Sequence, residues 1–136
     1  MRVCLDSNVL VSAFATRGLA SDVLRVTLAE HELLVPEVVL AETLRVLERK
    51  IRLPQELLDG VRELLRKQTV IPRPASRSGI TLDPADAWVV ASAVAGQADL
   101  LVTGDAKMLA LGSHEGLPIV GTRAFWERLT SKAGGT

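Results

Sequence analysis

A chain of 136 residues that is 48% hydrophobic and 24% charged is sized for one domain burying roughly two thirds of its unfolded surface, and its composition excludes the disordered and membrane classes. Sixteen Lys and Arg cancel sixteen Asp and Glu, so the overall field lacks the signal of a strongly basic nucleic-acid-binding domain. One cysteine, Cys4, and two histidines, His31 and His114, exclude an internal disulfide and the Cys/His spacing of a zinc site.

RVCLD at 2–6 reads as a short buried strand. SDVLRVTLAEHE follows as a helix, with Ser21 as its N-cap and Val23, Leu24, Val26 and Leu28 as its apolar residues. ELLVP is a second strand, after which Pro36 suits the first turn of a helix through VVLAETLRVLERK. Pro54 starts another, QELLDGVRELLRK, in which Leu57, Leu58, Val61, Leu64 and Leu65 recur at helical spacing. QTVIP is a third strand and RPASRSGITL a loop. DPADAWVVASAVAGQ is a helix whose many small residues allow close approach to a sheet. DLLVT, GDAKMLAL, LPIVG and TRAFWERL read as strand, short helix, strand and closing helix, and SKAGGT as a frayed tail.

Short apolar strands alternating with helices imply parallel pairing in a three-layer α/β/α sandwich with a mostly parallel central sheet. The leucine-faced helices at 37–51 and 55–67 have no strand between them and should form an αα-hairpin beside the sheet, for packing or as part of a dimer or partner surface. Residues 62–77 carry Arg62, Arg66, Lys67, Arg73 and Arg77 against Glu63, five minus one or +4. This strip is either a solvated helix face with a loop or a contact for phosphates, with Arg73 and Arg77 as the candidate substrate-binding residues. Two Phe, two Trp and no Tyr argue against a base-stacking platform of the single-strand-binding type.

In open parallel sheets ligands bind at the carboxyl ends of the strands, where the strand order reverses. Four acids meet that condition. Asp6 ends the first strand, Glu42 lies in the second turn of the helix leaving the second, Asp86 in the first turn of the helix after the third, and Asp105 just after DLLVT. Each also has a structural reading. Asp6 or Ser7 can cap a helix starting at Asn8, Asp83 suits the cap of a helix with Pro84 at its first position, and local spacing leaves Asp86 and Asp105 open between cap or turn and site. Glu42 is more telling: Val38, Val39 and Val46 flank it, while Arg45, Glu48 and Arg49 take the solvent side. An unpaired carboxylate at an apolar border is costly, and no Lys or Arg is placed to neutralise all four acids. A divalent cation answers both problems, and oxygen donors without His or Cys favour Mg²⁺ or Mn²⁺, one ion or two. Such a centre suits phosphodiester hydrolysis, with Ser7, Asn8 and Thr103 as supporting groups that hold a carboxylate or a water.

LDSNVLVSA, PEVVLAETLRVL, DPADAWVVASAV and ADLLVTGDAKML, in that order and over nearly the whole chain, resemble the PIN domain, and above all the VapC-like ribonuclease toxins of type II toxin–antitoxin systems. The resemblance implies a PIN-like nuclease domain over residues 1–130, a disordered tail at 131–136, and Mg²⁺- or Mn²⁺-dependent endoribonuclease activity on single-stranded RNA. It places the acidic quartet on Asp6, Glu42, Asp86 and Asp105, the supporting hydroxyls on Ser7 and Thr103, and the asparagine on Asn8. Many members have a more acidic run before the third acid, so a share for Asp83 in a second metal stays open. The resemblance also implies a homodimer restrained by an antitoxin protein. A cytoplasmic setting is expected from the lone cysteine, from apolar runs too short to span a membrane, and from a start without a signal-peptide core. Two rivals remain: a PIN-like RNA- or protein-binding module without nuclease activity, and an aspartyl phosphatase of the haloacid dehalogenase kind with Asp6 as nucleophile. The latter family starts DxD, where this chain has Asn8.

Overall fold

The computed structural model describes residues 1–77 and 79–134. The chain runs β1 (Arg2–Leu5), α1 (Ser7–Ala15), α2 (Leu19–Glu30), β2 (Glu32–Pro36), α3 (Glu37–Arg49), α4 (Gln55–Arg66), β3 (Thr69–Ile71) and α5 (Pro84–Ala95). It continues with β4 (Leu100–Val102), α6 (Ala106–Leu111), β5 (Ser113–His114), β6 (Leu117–Val120) and α7 (Thr122–Gly134). One six-stranded sheet has the order β3-β2-β1-β4-β6-β5, parallel throughout except for β5.

The central strands are apolar without alternation because helices cover both faces of the sheet. Val3, Cys4, Leu5, Leu33, Leu34, Val35, Leu100, Leu101 and Val102 are all buried. Burial also pushes the Cys4 thiol well above the usual cysteine range, with Asp6 adding to the effect, so this cysteine packs as a small hydrophobe. α5 lies against β2, β3 and β4 through a face of small and β-branched residues: Ala87, Val89, Val90, Ala91, Ser92 and Ala93 are buried.

The expected α/β architecture and αα-hairpin are present. α3 packs on α4, and the turn between them is closed by Leu53 N–H donating to Leu47 O at 2.9 Å. Several local expectations are corrected. α2 starts two residues before Ser21, with Gly18 at the cap and no side-chain cap bond, so Ser21 lies inside the helix. Pro36 and Pro54 occupy the N-cap positions of α3 and α4 instead of their first turns. β5 was not foreseen: Ser113 and His114 pair antiparallel with Pro118 and Leu117. The loop Glu115–Gly116, with φ of 49° and 80°, has the positive φ at both central residues that a two-residue hairpin with a right-handed twist requires. Two residues are too few to show a period. α7 is described to Gly134; of the tail expected at 131–136, residues 135 and 136 lie outside the described residues.

The two leucines that open α4 test the packing. Leu58 is 1% exposed and Leu57 58% exposed, although both belong to the same leucine pattern. Leu58→Ala should cost about 2–5 kcal/mol by leaving a cavity, whereas Leu57→Ala should stay within about 0.5 kcal/mol; chemical denaturation of both variants checks the contrast.

Candidate active site

β1 lies between β2 and β4, so the chain order reverses there and leaves a crevice at the carboxyl ends of the strands. Asp6 stands at that point. Its backbone N–H donates to Val102 O at 2.9 Å, tying the end of β1 to the end of β4. In an extended conformation it caps α1, and its Oδ1 accepts the Ser7 N–H at 2.8 Å. Its other oxygen, Oδ2, accepts the Thr103 hydroxyl at 2.8 Å and the Asn8 amide at 3.1 Å. The same Asn8 accepts the Gly104 N–H at 2.9 Å through Oδ1, and Thr103 Oγ1 accepts the Asp105 N–H at 3.0 Å. The turn after β4 is thus bonded to the turn after β1 by side chains from both. Asp105 in turn caps α6, its Oδ1 accepting the Met108 N–H at 2.9 Å. Cap and site are not exclusive for Asp6 or Asp105, since one oxygen of each serves a helix N-terminus.

Asp6, Glu42 and Asp86 line one cleft of about 350 Å³, together with Asn8, Arg45, Arg73 and Trp88. Asp105 lines the adjoining hollow with Asn8 and Gly104. All four acids therefore reach the same sheet edge. Asp6 is only 3% exposed, and burial pushes its carboxyl above the ordinary range. The bonds from Thr103, Ser7 and Asn8 pull it back, and Asp105 pushes it up again. Asp86 is also raised, first by partial burial and then by Asp105, Asp6 and Asp83, with Lys107 opposing. Mutual repulsion among the acids is the signature of a cluster.

Two expectations about partners are corrected here. The partner that a border carboxylate such as Glu42 needs is Arg45, placed on the solvent side by the helical pattern, which donates to Oε2 from one turn on in an ion pair. The i,i+3 geometry lets a residue assigned to the solvent side fold back over the rim. Asp83 holds the N-cap position of α5 but makes no side-chain cap bond; its carboxylate meets Lys107 at 3.5 Å. Arg45, Lys107 and Trp88 were not singled out in sequence. A cation at i+3 from Glu42 was a usable signal for Arg45; Lys107 required the tertiary fold.

Among the described residues no three His, Cys, Asp or Glu side chains form a closed metal-holding group. The donor chemistry nevertheless fits a hard divalent cation: four carboxylates distant in sequence, two of them raised by burial and then by neighbouring acids, with oxygen donors only.

The raised Asp86 carboxyl has a thermodynamic consequence. Its folded-state value lies above the unfolded one, so the native state binds the extra proton and stability falls as pH rises from about 4 through the raised value. Asp86→Asn removes that loss. In chelator-treated protein, the melting temperature of the variant relative to the unsubstituted chain should therefore increase from pH 4 to pH 7, as thermal melts across that range will measure.

No curated protein matches the chain in sequence. Among solved structures it is similar to a chain of VapBC2 from Rickettsia felis, crystallised bound to a DNA fragment from their promoter. The TM-score is 0.65 and the identity 17%, over 89% of this chain and 98% of that one, which shows a shared fold. The family model of the PIN domain matches residues 2–107, a span that contains all four acids, Asn8 and Thr103. The chain belongs to the PIN domain family.

Proposed function

We propose that this PIN domain is a divalent-metal-dependent endoribonuclease that hydrolyses phosphodiester bonds of single-stranded RNA. The observation that carries the reading is the convergence of Asp6, Glu42, Asp86 and Asp105 on the crevice beside β1, where burial and then neighbouring acids raise Asp6 and Asp86. These four would hold one or two Mg²⁺ or Mn²⁺ ions. A metal bound there supplies water activation at neutral pH and offsets charge building on the phosphoryl oxygens. The chain's own part is aim. Asp6 is fixed through both oxygens, so its carboxylate does not turn when a charged ligand arrives. Thr103, bonded to Asp6 and to the Asp105 backbone at once, keeps the two acids in register, and Asn8 locks the Gly104 turn beneath them. Asp86 from α5 and Glu42 from α3 line the same cleft as Asp6.

The chain acts, in this proposal, as the toxin of a type II toxin–antitoxin pair in the cytoplasm, as a homodimer restrained by a cognate antitoxin. The motif resemblance to VapC-like ribonucleases and the fold shared with a VapBC2 chain support this. Among the described residues no helix is long and apolar enough to cross a membrane.

A labelled single-stranded RNA incubated with the protein and Mg²⁺ should yield discrete fragments. EDTA should stop the reaction, and Asp86→Asn should lower the rate at least about 100-fold while the protein stays folded. Retention of RNA without products at any metal concentration overturns the nuclease reading in favour of a binding module, and cleavage undiminished in EDTA overturns the metal mechanism. Arg45→Gln should lower the Mg²⁺ concentration for half-maximal rate about twofold, because it frees Glu42 from an exposed pair worth roughly 0.5 kcal/mol.

A further inference from the structure

The indole of Trp88 lies on the same helix as Asp86 and carries two guanidinium groups. Arg73 Cζ stands 4.0 Å from the ring centroid and Arg77 Cζ 5.6 Å. Both arginines come from the loop between β3 and α5, so one aromatic side chain fixes two positions of a segment without regular structure. Arg73 lines the acidic cleft beside Asp6, Glu42 and Asp86. Arg77 lines the neighbouring hollow of about 290 Å³ with Pro74, Ile80 and His114. The two cations therefore lead from the acids to a second depression in the surface.

A phosphodiester strand entering a cleft with four carboxylates meets repulsion that positive charge must offset. Arg45 and Lys107 are engaged by Glu42 and Asp83. Among the described residues, Arg73 and Arg77 have no carboxylate within ion-pair distance. A guanidinium stacked on an indole keeps its N–H edges free for bidentate contact with a phosphate, and the ring removes the freedom that such a contact otherwise has to freeze. We infer that Trp88 is a positioning residue that holds Arg73 and Arg77 as a two-cation clamp on the backbone phosphates of single-stranded RNA beside the acidic cleft, an inference that rests on the ribonuclease reading. The ring serves the strand through the two charges it holds.

The test is binding of a fluorescein-labelled single-stranded RNA of about a dozen nucleotides to the full chain in EDTA, followed by anisotropy at several salt concentrations. Arg73→Gln combined with Arg77→Gln should weaken binding and reduce the slope of log K against log salt by about 1.4, roughly 0.7 for each phosphate no longer neutralised. Trp88→Leu should weaken binding about three- to tenfold, Trp88→Phe should restore most of it, and Trp88→Leu should add nothing in the double-Gln background. With Mg²⁺ the clamp variants should raise KM and leave kcat near its original value. Failure of the unsubstituted chain to bind, an unchanged salt slope in the double-Gln variant, or an additive effect of Trp88→Leu overturns the clamp. Products with an unchanged slope reject the clamp and keep the nuclease; binding weakened as expected without products from the unsubstituted chain keeps the clamp and rejects the nuclease.

Discussion

The site depends on one buried carboxylate. Asp6 sits at the end of the central strand, 3% exposed, where an ionised group is tolerated only with donors on its oxygens. Those donors come from two turns: Ser7 and Asn8 behind β1, and Thr103 at the end of β4. Satisfying one carboxylate therefore requires both turns to stand in a single relation. That relation brings Asp105 close enough to push the Asp6 carboxyl upward. The hydrogen bonds that make the burial possible thus also assemble the repulsive cluster.

The two ends of the sheet handle charge in opposite ways. At the amino end, Arg2 pairs with Glu32 at 2.9 Å and donates to the carbonyls of Gly96 and Gln97, while its own N–H meets Asp99 Oδ2 at 2.7 Å. Thr69 closes the same network by donating to Glu32 at 2.7 Å. Charge there is spent on joining β1, β2, β3 and the end of α5. At the carboxyl end the acids exceed their partners among the described residues, since Arg45 and Lys107 answer Glu42 and Asp83 while Asp6, Asp86 and Asp105 have no ion pair. Local stability does not favour such an imbalance, and its natural complement is a positively charged ligand.

Long-range order was the legible part of this chain. Strands buried on both faces announce themselves as apolar runs, so β1, β2 and β4 could be read directly, and parallel topology then assigned four acids from distant positions to one edge. Short-range chemistry was less legible, because it depends on tertiary neighbours. Ser21 has every property of an N-cap, yet the helix begins earlier, at Leu19 behind a Gly18 cap; Val23 and Leu24 are buried in either case, so apolar spacing does not set the start. The partner of Glu42 was missed for a similar reason. Arg45 projects to solvent on a helical wheel, but its length carries the guanidinium back over one turn to the cleft rim.

The basic strip at 62–77 shows what net charge conceals. On α4 and at its C-cap, Arg62 pairs with Asp59 at 2.9 Å and Lys67 with Glu63 at 3.2 Å, which is the solvated-face reading. In the loop the same residue type meets an indole in place of an acid. An aromatic face orients a guanidinium without neutralising it, whereas a carboxylate does both. A strip of formal charge +4 therefore contains Arg62 and Lys67 answered by the helix, and Arg73 and Arg77 held by a ring beside the cleft. In a chain of zero net charge, contact with a polyanion is decided by which cations lack a carboxylate and where the fold holds them, so Trp88 matters more to the character of this surface than the total of lysines and arginines.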